Sequence, residues 1–134
     1  MYCIDASVIV SSQLPEEIYF NQSRAFLEKI AKSGEKVFLP EIVIPEITSG
    51  LFREVKNTSF ILEYTQTLRG IPNFLFIPID SHLADLSSWV ITKTGLRAAD
   101  ALYVGLAFYY KLILITLDKD QLNKSNKLIE AKFP

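Results

Sequence analysis

Two hydrophobic patterns alternate along this chain of 134 residues. Apolar residues repeated every three or four positions predict helices with one buried face, and short continuous apolar runs predict strands of a parallel sheet that is covered on both sides. The predicted strands are Tyr2–Ile4, Val37–Leu39, Phe74–Ile79, Leu112–Ile115 and Ala131–Phe133. Helices are predicted from Ala6, across Phe26 to Ile30, over Pro45–Asn57 and Ser59–Arg69, across Leu83 to Val90, from Ala99 to Tyr110 and over Asp118–Lys127.

The order of these elements predicts an α/β fold of one domain spanning residues 1–134. The order is β, α, β, α, α, β, α, α, β, α, β, in which the two helical stretches between the first two strands are written as one α. We expect a three-layer α/β/α sandwich with a mostly parallel central sheet. Asp80 or Ser81 should cap the helix that follows the third strand. The helix Ser59–Arg69 is expected to present Ile61, Leu62, Thr65 and Leu68 on one side.

The most apolar segment, Arg97 to Asp120, contains a predicted helix followed by a predicted strand. One acidic residue lies near the start of the helix and another lies just after the strand. Asp100 lies in the first turn of the helix, where the helix dipole and the free N–H groups favour a negative charge. Asp118 lies just past the carboxyl end of the strand, and ligands bind at that edge in open α/β sheets. This segment is therefore the first candidate for part of a functional site.

Composition and charge narrow the class of protein. Hydrophobic residues make up 49% of the chain and the mean hydropathy is +0.22, which argues against disorder. The net charge of −1 provides no overall basic field for nucleic acid, although a local basic rim is enough. The lone Cys3 should be a small buried hydrophobic residue. We identify no signal peptide and no apolar segment long enough to span a membrane, so we expect a soluble, cytoplasmic protein.

Four carboxylates lie at the ends of predicted elements rather than on solvated faces. Asp5 and Asp118 each follow a strand, so both emerge at the carboxyl edge of a parallel sheet. Glu46 and Asp100 begin helices whose N-termini return to that edge. Each acid also has an ordinary interpretation, because Asp5 and Asp118 can cap helices and Glu46 suits any first helical turn. Asp120 is either a fifth acid of the same site or a solvated helix residue.

Four converging carboxylates predict a metal site, because like charges repel one another unless cations neutralise them. Carboxylate oxygens favour Mg²⁺ or Mn²⁺ over zinc, which prefers cysteine and histidine. Two such ions can activate a water molecule and stabilise the leaving oxygen of a phosphodiester. The only histidine, His82, is expected to be a surface or partly packed residue, so chemistry centred on histidine is not favoured.

Four segments together resemble the PIN-domain family of metal-dependent ribonucleases, and most of all the VapC-type toxins of prokaryotic toxin–antitoxin pairs. The segments are YCIDASVIV, LPEIVIPEITSGL, LRAADALYVGLA and ILITLDKDQL, and the resemblance runs over essentially the whole chain. The positions that match the family's acidic site residues are Asp5, Glu46, Asp100 and Asp118, with Asp120 matching an accessory acid and Ser7 and Thr116 matching hydroxyl residues beside the site.

The resemblance implies a Mg²⁺- or Mn²⁺-dependent endoribonuclease that is the toxin of such a pair. It also implies a small antitoxin protein, which should cover the RNA groove and reach the acids with an arginine or lysine. A homodimer is expected, with helices Pro45–Asn57 and Ser59–Arg69 supplying much of the contact. Arg97 and Lys119, which lie close to two of the acids in the sequence, are expected to contact the phosphates that flank the cleaved bond.

Three alternatives remain open from the sequence. The first is a housekeeping RNA-processing nuclease or a DNA nuclease with the same fold. The second is a receiver-like phosphoacceptor domain, which needs a lysine just after a late strand; Lys119 is close to that position. The third is a non-catalytic protein-binding module, which would leave four acids at one sheet edge without a purpose.

Overall fold

The chain folds around a five-stranded sheet in which all neighbouring strands are parallel. The computed structural model describes residues 1–134. The strands are β1 (Tyr2–Ile4), β2 (Val37–Pro40), β3 (Phe74–Ile77), β4 (Ile113–Ile115) and β5 (Ala131–Lys132). The helices are α1 (Ala6–Ser11), α2 (Phe20–Ser33), α3 (Val43–Glu54), α4 (Thr58–Arg69), α5 (Ser81–Thr94), α6 (Ala98–Tyr110) and α7 (Lys119–Ser125).

The predicted α/β fold is confirmed, and the sheet is wholly rather than mostly parallel. The two helices predicted between β1 and β2 are both present, and the charged, proline-containing stretch Leu14–Glu17 lies between them. Strand β3 ends at Ile77 instead of Ile79, because Pro78 has no N–H to donate to the sheet. Helix α3 begins two residues before Pro45, which occupies its first turn.

The burial of most of the side chains singled out in the sequence agrees with the hydrophobic pattern. Cys3 is fully buried, and Asp80 caps α5 by accepting the N–H of Leu83 at 2.9 Å. His82 is exposed, as expected. The expectation for Leu62 is wrong, because its side chain is 56% exposed. Consecutive helical residues are about 100° apart around the axis, so Leu62 turns away from the buried stripe that its neighbours form. That stripe consists of Ile61, Thr65 and Leu68.

The strand order, β3-β2-β1-β4-β5, places the winding reversal at the centre of the sheet. The chain runs from β1 outward through β2 to β3, and β4 then returns to the other side of β1. In open α/β sheets, ligands bind outside the carboxyl ends of the strands at such a reversal. Asp5 directly follows β1, and Asp118 lies three residues past the end of β4. Both acids therefore lie at the position where the topology favours a site.

Helices cover both faces of the sheet. Helix α6 packs on β1, β2 and β4 with α5 against it, whereas α1 packs against α2 and α3, and α3 against α4. Parallel crossovers are right-handed, so connections that run in opposite directions along the sheet lie on opposite faces. Buried apolar side chains from these layers form one cluster of 27 residues. No helix combines the length and apolar character needed to cross a membrane.

Helices α1 and α3 approach each other unusually closely, and this contact shapes one wall of the site. A Cβ atom added to Gly50 of α3 would lie 2.8 Å from Cγ2 of Val10 in α1, which is closer than two carbon atoms can approach. Any larger residue at Gly50 would therefore push α1 outward. The absence of a side chain keeps the first turn of α3, which carries Glu46, close to the start of α1, which Asp5 caps.

Candidate active site

An open cleft of about 760 Å³ lies at the carboxyl edge of the sheet, and the four predicted acids all line it. Its walls come from α1, from α3, from the first turn of α6 and from the segment that follows β4. The structure therefore brings together residues that are spread over more than 110 positions of the chain. The acids that line the cleft are Asp5, Glu46, Asp100 and Asp118.

Asp5 is the most buried of these acids, with a relative exposure of 7%. Its Oδ2 accepts the backbone N–H of Ser7 at 2.9 Å and so caps α1, and its Oδ1 accepts the side-chain amide of Gln121 at 3.3 Å. Burial, together with the nearby charge of Asp100, raises the pKa of Asp5 above its ordinary value, although the hydrogen bonds from Ser7 and Gln121 oppose this effect. The predicted cap and the predicted site residue are thus the same side chain.

Glu46 is half-buried in the first turn of α3. Its Oε2 accepts the phenol O–H of Tyr103 at 2.5 Å. Burial raises the pKa of Glu46, and the charges of Asp5 and Asp100 raise it further. Burial and the charges of Asp5 and Glu46 raise the pKa of Tyr103, so the phenol remains protonated and donates its hydrogen bond. The cleft is thus a region where negative charge is costly.

Arg97 bridges the remaining two acids. Its Nε donates to Oδ2 of Asp100 at 3.0 Å, and its Nη2 lies 3.4 Å from Oδ2 of Asp118. The other oxygen of Asp118 caps α7 by accepting the backbone N–H groups of Asp120 and Gln121. Asp118 therefore also combines a capping role with a place in the cleft. The Arg97 side chain itself is 80% exposed, so the bridge lies at the mouth of the cleft.

Two hydroxyl side chains fix the backbone around the acids. Thr116 is fully buried, and its Oγ1 accepts the N–H of Asp118 at 3.0 Å. The Oγ of Ser7 accepts the N–H of Leu117 at 3.2 Å, which ties α1 to the segment after β4. These contacts place both hydroxyls where they can hold Asp5 and Asp118 in position.

Two sequence-predicted residues lie outside the cleft. Asp120 is exposed, and its Oδ2 pairs with Lys124 Nζ at 2.7 Å. Lys119 is also exposed and does not line the cleft, whereas Arg97 does. A receiver-like site would need a lysine among the acids, and the cationic side chains in this cleft are both arginines.

The cleft includes residues that the sequence patterns did not single out. Ser49 and Arg53 line it from α3, three and seven positions after Glu46, which is helical spacing that could have identified them. Glu17, Tyr19 and Glu54 also line it. Six carboxylates and two guanidinium groups give the cleft a formal charge of −4. Such a cleft favours cations over free RNA.

The side chains that line the cleft are chemically suited to bind divalent cations, although they do not surround a single ion position. No group of three or more aspartate, glutamate, histidine or cysteine side chains is arranged in the structure to hold one metal ion. The donor set consists of carboxylates, which are the ligands that Mg²⁺ and Mn²⁺ prefer. Burial raises the pKa values of Asp5 and Glu46, and the charges of neighbouring acids add to this effect. The guanidinium of Arg97 already stands as a cation between Asp100 and Asp118.

Several solved structures are similar to this chain in fold. FitAcB from Neisseria gonorrhoeae is 19% identical with a TM-score of 0.73, and the match covers 100% of this chain and 97% of that one. VapBC2 from Rickettsia felis, bound to a promoter DNA fragment, is 14% identical with a TM-score of 0.72 and coverage of 99% and 98%. A toxin–antitoxin complex from Klebsiella pneumoniae is 18% identical with a TM-score of 0.65 and coverage of 90% and 89%. At these identities the likeness establishes the fold.

No curated protein matches the chain by sequence. The family model of the PIN domain, in contrast, matches residues 2–127, which include all four acids of the cleft. The resemblance of the four sequence segments, the parallel sheet with its central reversal and this match agree. The chain belongs to the PIN domain family.

Proposed function

We propose that this protein is a Mg²⁺- or Mn²⁺-dependent endoribonuclease that hydrolyses RNA phosphodiester bonds in the cytoplasm. The observation that carries the proposal is the convergence of four acids from separate elements in one cleft at the winding reversal of a PIN fold. Membership in the family supports nuclease activity. The carboxylate donor set supports divalent metal, and the absence of histidine from the cleft argues against a histidine base.

The four acids share one role in the proposed reaction, as ligands of the metal. Asp5, Glu46, Asp100 and Asp118 would hold the metal, which supplies activation of water and neutralisation of charge at the phosphate when it is bound. Asp5 and Asp118 accept backbone N–H groups of the helices that they cap, so both carboxylates are already oriented in the free protein. Ser7 and Thr116 support these two acids from the backbone side, as their hydrogen bonds indicate.

Basic side chains at the mouth of the cleft would bind the phosphates that flank the cleaved bond. Arg97 and Arg53 both line the cleft, and Arg97 is exposed enough to turn toward a ligand. Arginine suits this role because its planar fork can donate two hydrogen bonds to one phosphate. Lys119 is exposed beside Asp118 and would contact RNA farther from the acids.

We further propose that the protein is the toxin of a VapBC-type pair. The similar solved structures include a toxin–antitoxin complex from Klebsiella pneumoniae and VapBC2 from Rickettsia felis. A cleft with a formal charge of −4 suits an antitoxin segment that inserts an arginine or lysine. We also propose a homodimer formed through α3 and α4, since apolar side chains on both helices are exposed. Induced expression should arrest growth of the host cell, and the variant Asp100→Asn should not.

The test of the activity uses purified protein and end-labelled single-stranded RNA, with DNA of the same sequence as a second substrate. RNA should be cleaved in Mn²⁺ or Mg²⁺ and remain intact in chelator. Asp100→Asn should reduce cleavage by at least about 100-fold, because removal of a group that stabilises the transition state costs a factor of this order. The matched control is Asp85→Asn, which makes the same change at an exposed position of α5 outside the cleft.

Three results would contradict the proposal. Cleavage in chelator would remove the metal from the mechanism. Equal cleavage by wild type and Asp100→Asn would remove the acidic cleft from it. Preferential cleavage of the DNA strand would favour the DNA nuclease of the same fold.

A further inference from the structure

Two fully buried side chains with neutral hydrogen-bond donors lie beneath the acids. Tyr103 and Gln121 each have 0% relative exposure. Tyr103 follows Asp100 by three residues in α6, and Gln121 follows Asp118 by three residues at the start of α7. Residues three apart lie on the same side of a helix. These two helices, α6 and α7, therefore each have a neutral donor about one turn after the acid at their start.

The contact of Tyr103 joins two helices that are far apart in the sequence. Its O–H donates to Oε2 of Glu46 at 2.5 Å, across a separation of 57 residues. Glu46 lies on α3, so the bond links α3 to α6, which carries Asp100. A phenylalanine would pack in the same space without this bond. Packing therefore needs only the ring of Tyr103, whereas its hydroxyl group fixes the orientation of the Glu46 carboxylate.

Gln121 likewise donates hydrogen bonds to the residues of the acidic cleft. Its Nε2 lies 3.3 Å from Oδ1 of Asp5 and 3.4 Å from the carbonyl oxygen of Asp100. Its Oε1 is buried and accepts no hydrogen bond. An unpaired buried carbonyl is unfavourable, so an apolar side chain of similar size would suit the space better if packing alone mattered. The amide at this position is explained by its donation to Asp5.

We propose that Tyr103 and Gln121 are positioning residues that hold Glu46 and Asp5 in place at the floor of the cleft. The inference rests on the proposed function, because the acids are positioned for a divalent ion. Neutral donors suit this purpose. They fix a carboxylate without cancelling its negative charge, whereas a buried lysine or arginine would compete with the metal.

The first test needs neither metal nor RNA, so it is independent of the proposed activity. Nuclear magnetic resonance of metal-free wild-type protein should show a slowly exchanging hydroxyl proton for Tyr103. The side-chain amide protons of Gln121 should exchange far more slowly than those of the exposed Gln66. Exchange of the Gln121 amide as fast as that of Gln66, with no observable Tyr103 hydroxyl proton, would overturn the proposal.

The second test measures Mn²⁺ affinity by calorimetry in folded variants. Tyr103→Phe and Gln121→Met should each weaken Mn²⁺ binding by about 10-fold or more, because loss of a partner that holds a metal ligand has effects of this size. Their melting temperatures should match those of the controls Tyr110→Phe and Gln66→Met, which remove the same groups from exposed positions.

The outcomes of the two tests separate the two proposals. Unchanged Mn²⁺ affinity in both Tyr103→Phe and Gln121→Met would overturn the positioning role even if wild type cleaves RNA. Wild-type protein that binds no Mn²⁺ would contradict the proposed function, and the resonance experiment would still decide whether the two donors hold the acids. If either variant fails to fold, the wild-type resonance measurement decides.

Discussion

The guanidinium of Arg97 lies 3.4 Å from Oδ2 of Asp118, although 21 positions separate the two residues in the chain. Together with the bond to Asp100, this contact places a positive charge between two acids of the cleft. Exposed ion pairs of this kind stabilise a protein little. The Arg97 side chain can therefore leave the acids for a phosphate at low cost when divalent ions take its place.

The first prediction concerns RNA binding in Ca²⁺, which we expect to support binding without rapid cleavage. Metal-free protein should bind RNA negligibly, because the cleft has a formal charge of −4. Two divalent ions would change the charge of the whole protein from −1 to about +3, with the gain at the cleft. Binding should then appear and weaken with salt. Arg97→Ala should reduce the log–log slope by about 0.7, the value for one phosphate contact on a single strand.

Arg24→Ala is the matched control for this measurement. Arg24 is exposed on α2, pairs with Glu28 and does not line the cleft, so its removal should leave the slope unchanged. Equal RNA affinity with and without divalent metal would mean that RNA binds elsewhere.

The second prediction concerns the stability of the variant Asp5→Asn at different pH. The pKa of Asp5 is raised in the folded protein, so its contribution to stability is complete below its ordinary value of 3.8 and is lost as pH rises through the folded value. Asparagine keeps the hydrogen bond to Ser7 and cannot ionise, and it caps helices as well as aspartate does. In chelator, the melting temperature of Asp5→Asn relative to wild type should therefore rise between pH 4 and pH 7, on the order of a few degrees.

This variant should lose Mn²⁺-dependent cleavage while it keeps its fold. Asp85→Asn serves again as the control, since its side chain is exposed outside the cleft. A difference in melting temperature between Asp5→Asn and wild type that stays constant over the same pH range would show that ionisation of Asp5 does not destabilise the folded protein.

The third prediction concerns stabilisation by metal. A ligand that binds only the folded state raises the free energy of unfolding by about 2.7 kcal/mol at 100 times its dissociation constant. Saturating Mn²⁺ should accordingly raise the melting temperature of wild type at pH 7.5. The increase should be smaller at pH 4.5, because Asp5 and Glu46, whose pKa values are raised, are more often protonated there. Glu46→Gln should lose most of the increase, and an equal increase in that variant would place the metal elsewhere.

The fourth prediction concerns the dimer. Phe52 on α3 is 55% exposed and Leu62 on α4 is 56% exposed. If these helices form the interface, wild type should sediment as a dimer at micromolar concentration, and the double variant Phe52→Glu with Leu62→Glu should sediment as a monomer. Phe108→Glu, which changes an exposed aromatic residue of α6, should remain dimeric. A wild-type monomer, or a double variant that stays dimeric, would contradict this interface.

The elements of the fold were predictable because their signals are local. Apolar runs marked the strands, and Pro78 alone accounts for the early end of β3. Asp80 could be identified as a cap because capping involves a residue and its neighbours three positions later. The order of the strands was not predictable, since it depends on which apolar faces meet in space. That order is what places Asp5 and Asp118 side by side at the reversal.

The acids of the cleft could be identified from the sequence, whereas their partners could not. An acidic residue at the end of an apolar element is conspicuous, as at Asp100. Tyr103 and Gln121 look like ordinary helix residues, because their roles depend on the direction in which a donor points across an interface. Leu62 is a different case, because its hydrophobicity suggested burial although helical spacing places it about 100° from Ile61 and away from the buried stripe.

The central claim is that the four acids of the cleft bind the divalent metal. The most direct measurement is anomalous X-ray scattering from a crystal of the protein soaked in Mn²⁺. We predict one or two anomalous peaks in the cleft, within ligand distance of carboxylate oxygens of Asp5, Glu46, Asp100 and Asp118, and no cleft peak in crystals of Asp100→Asn. A saturated crystal that shows no manganese in the cleft, from protein that cleaves RNA in Mn²⁺, would contradict the account.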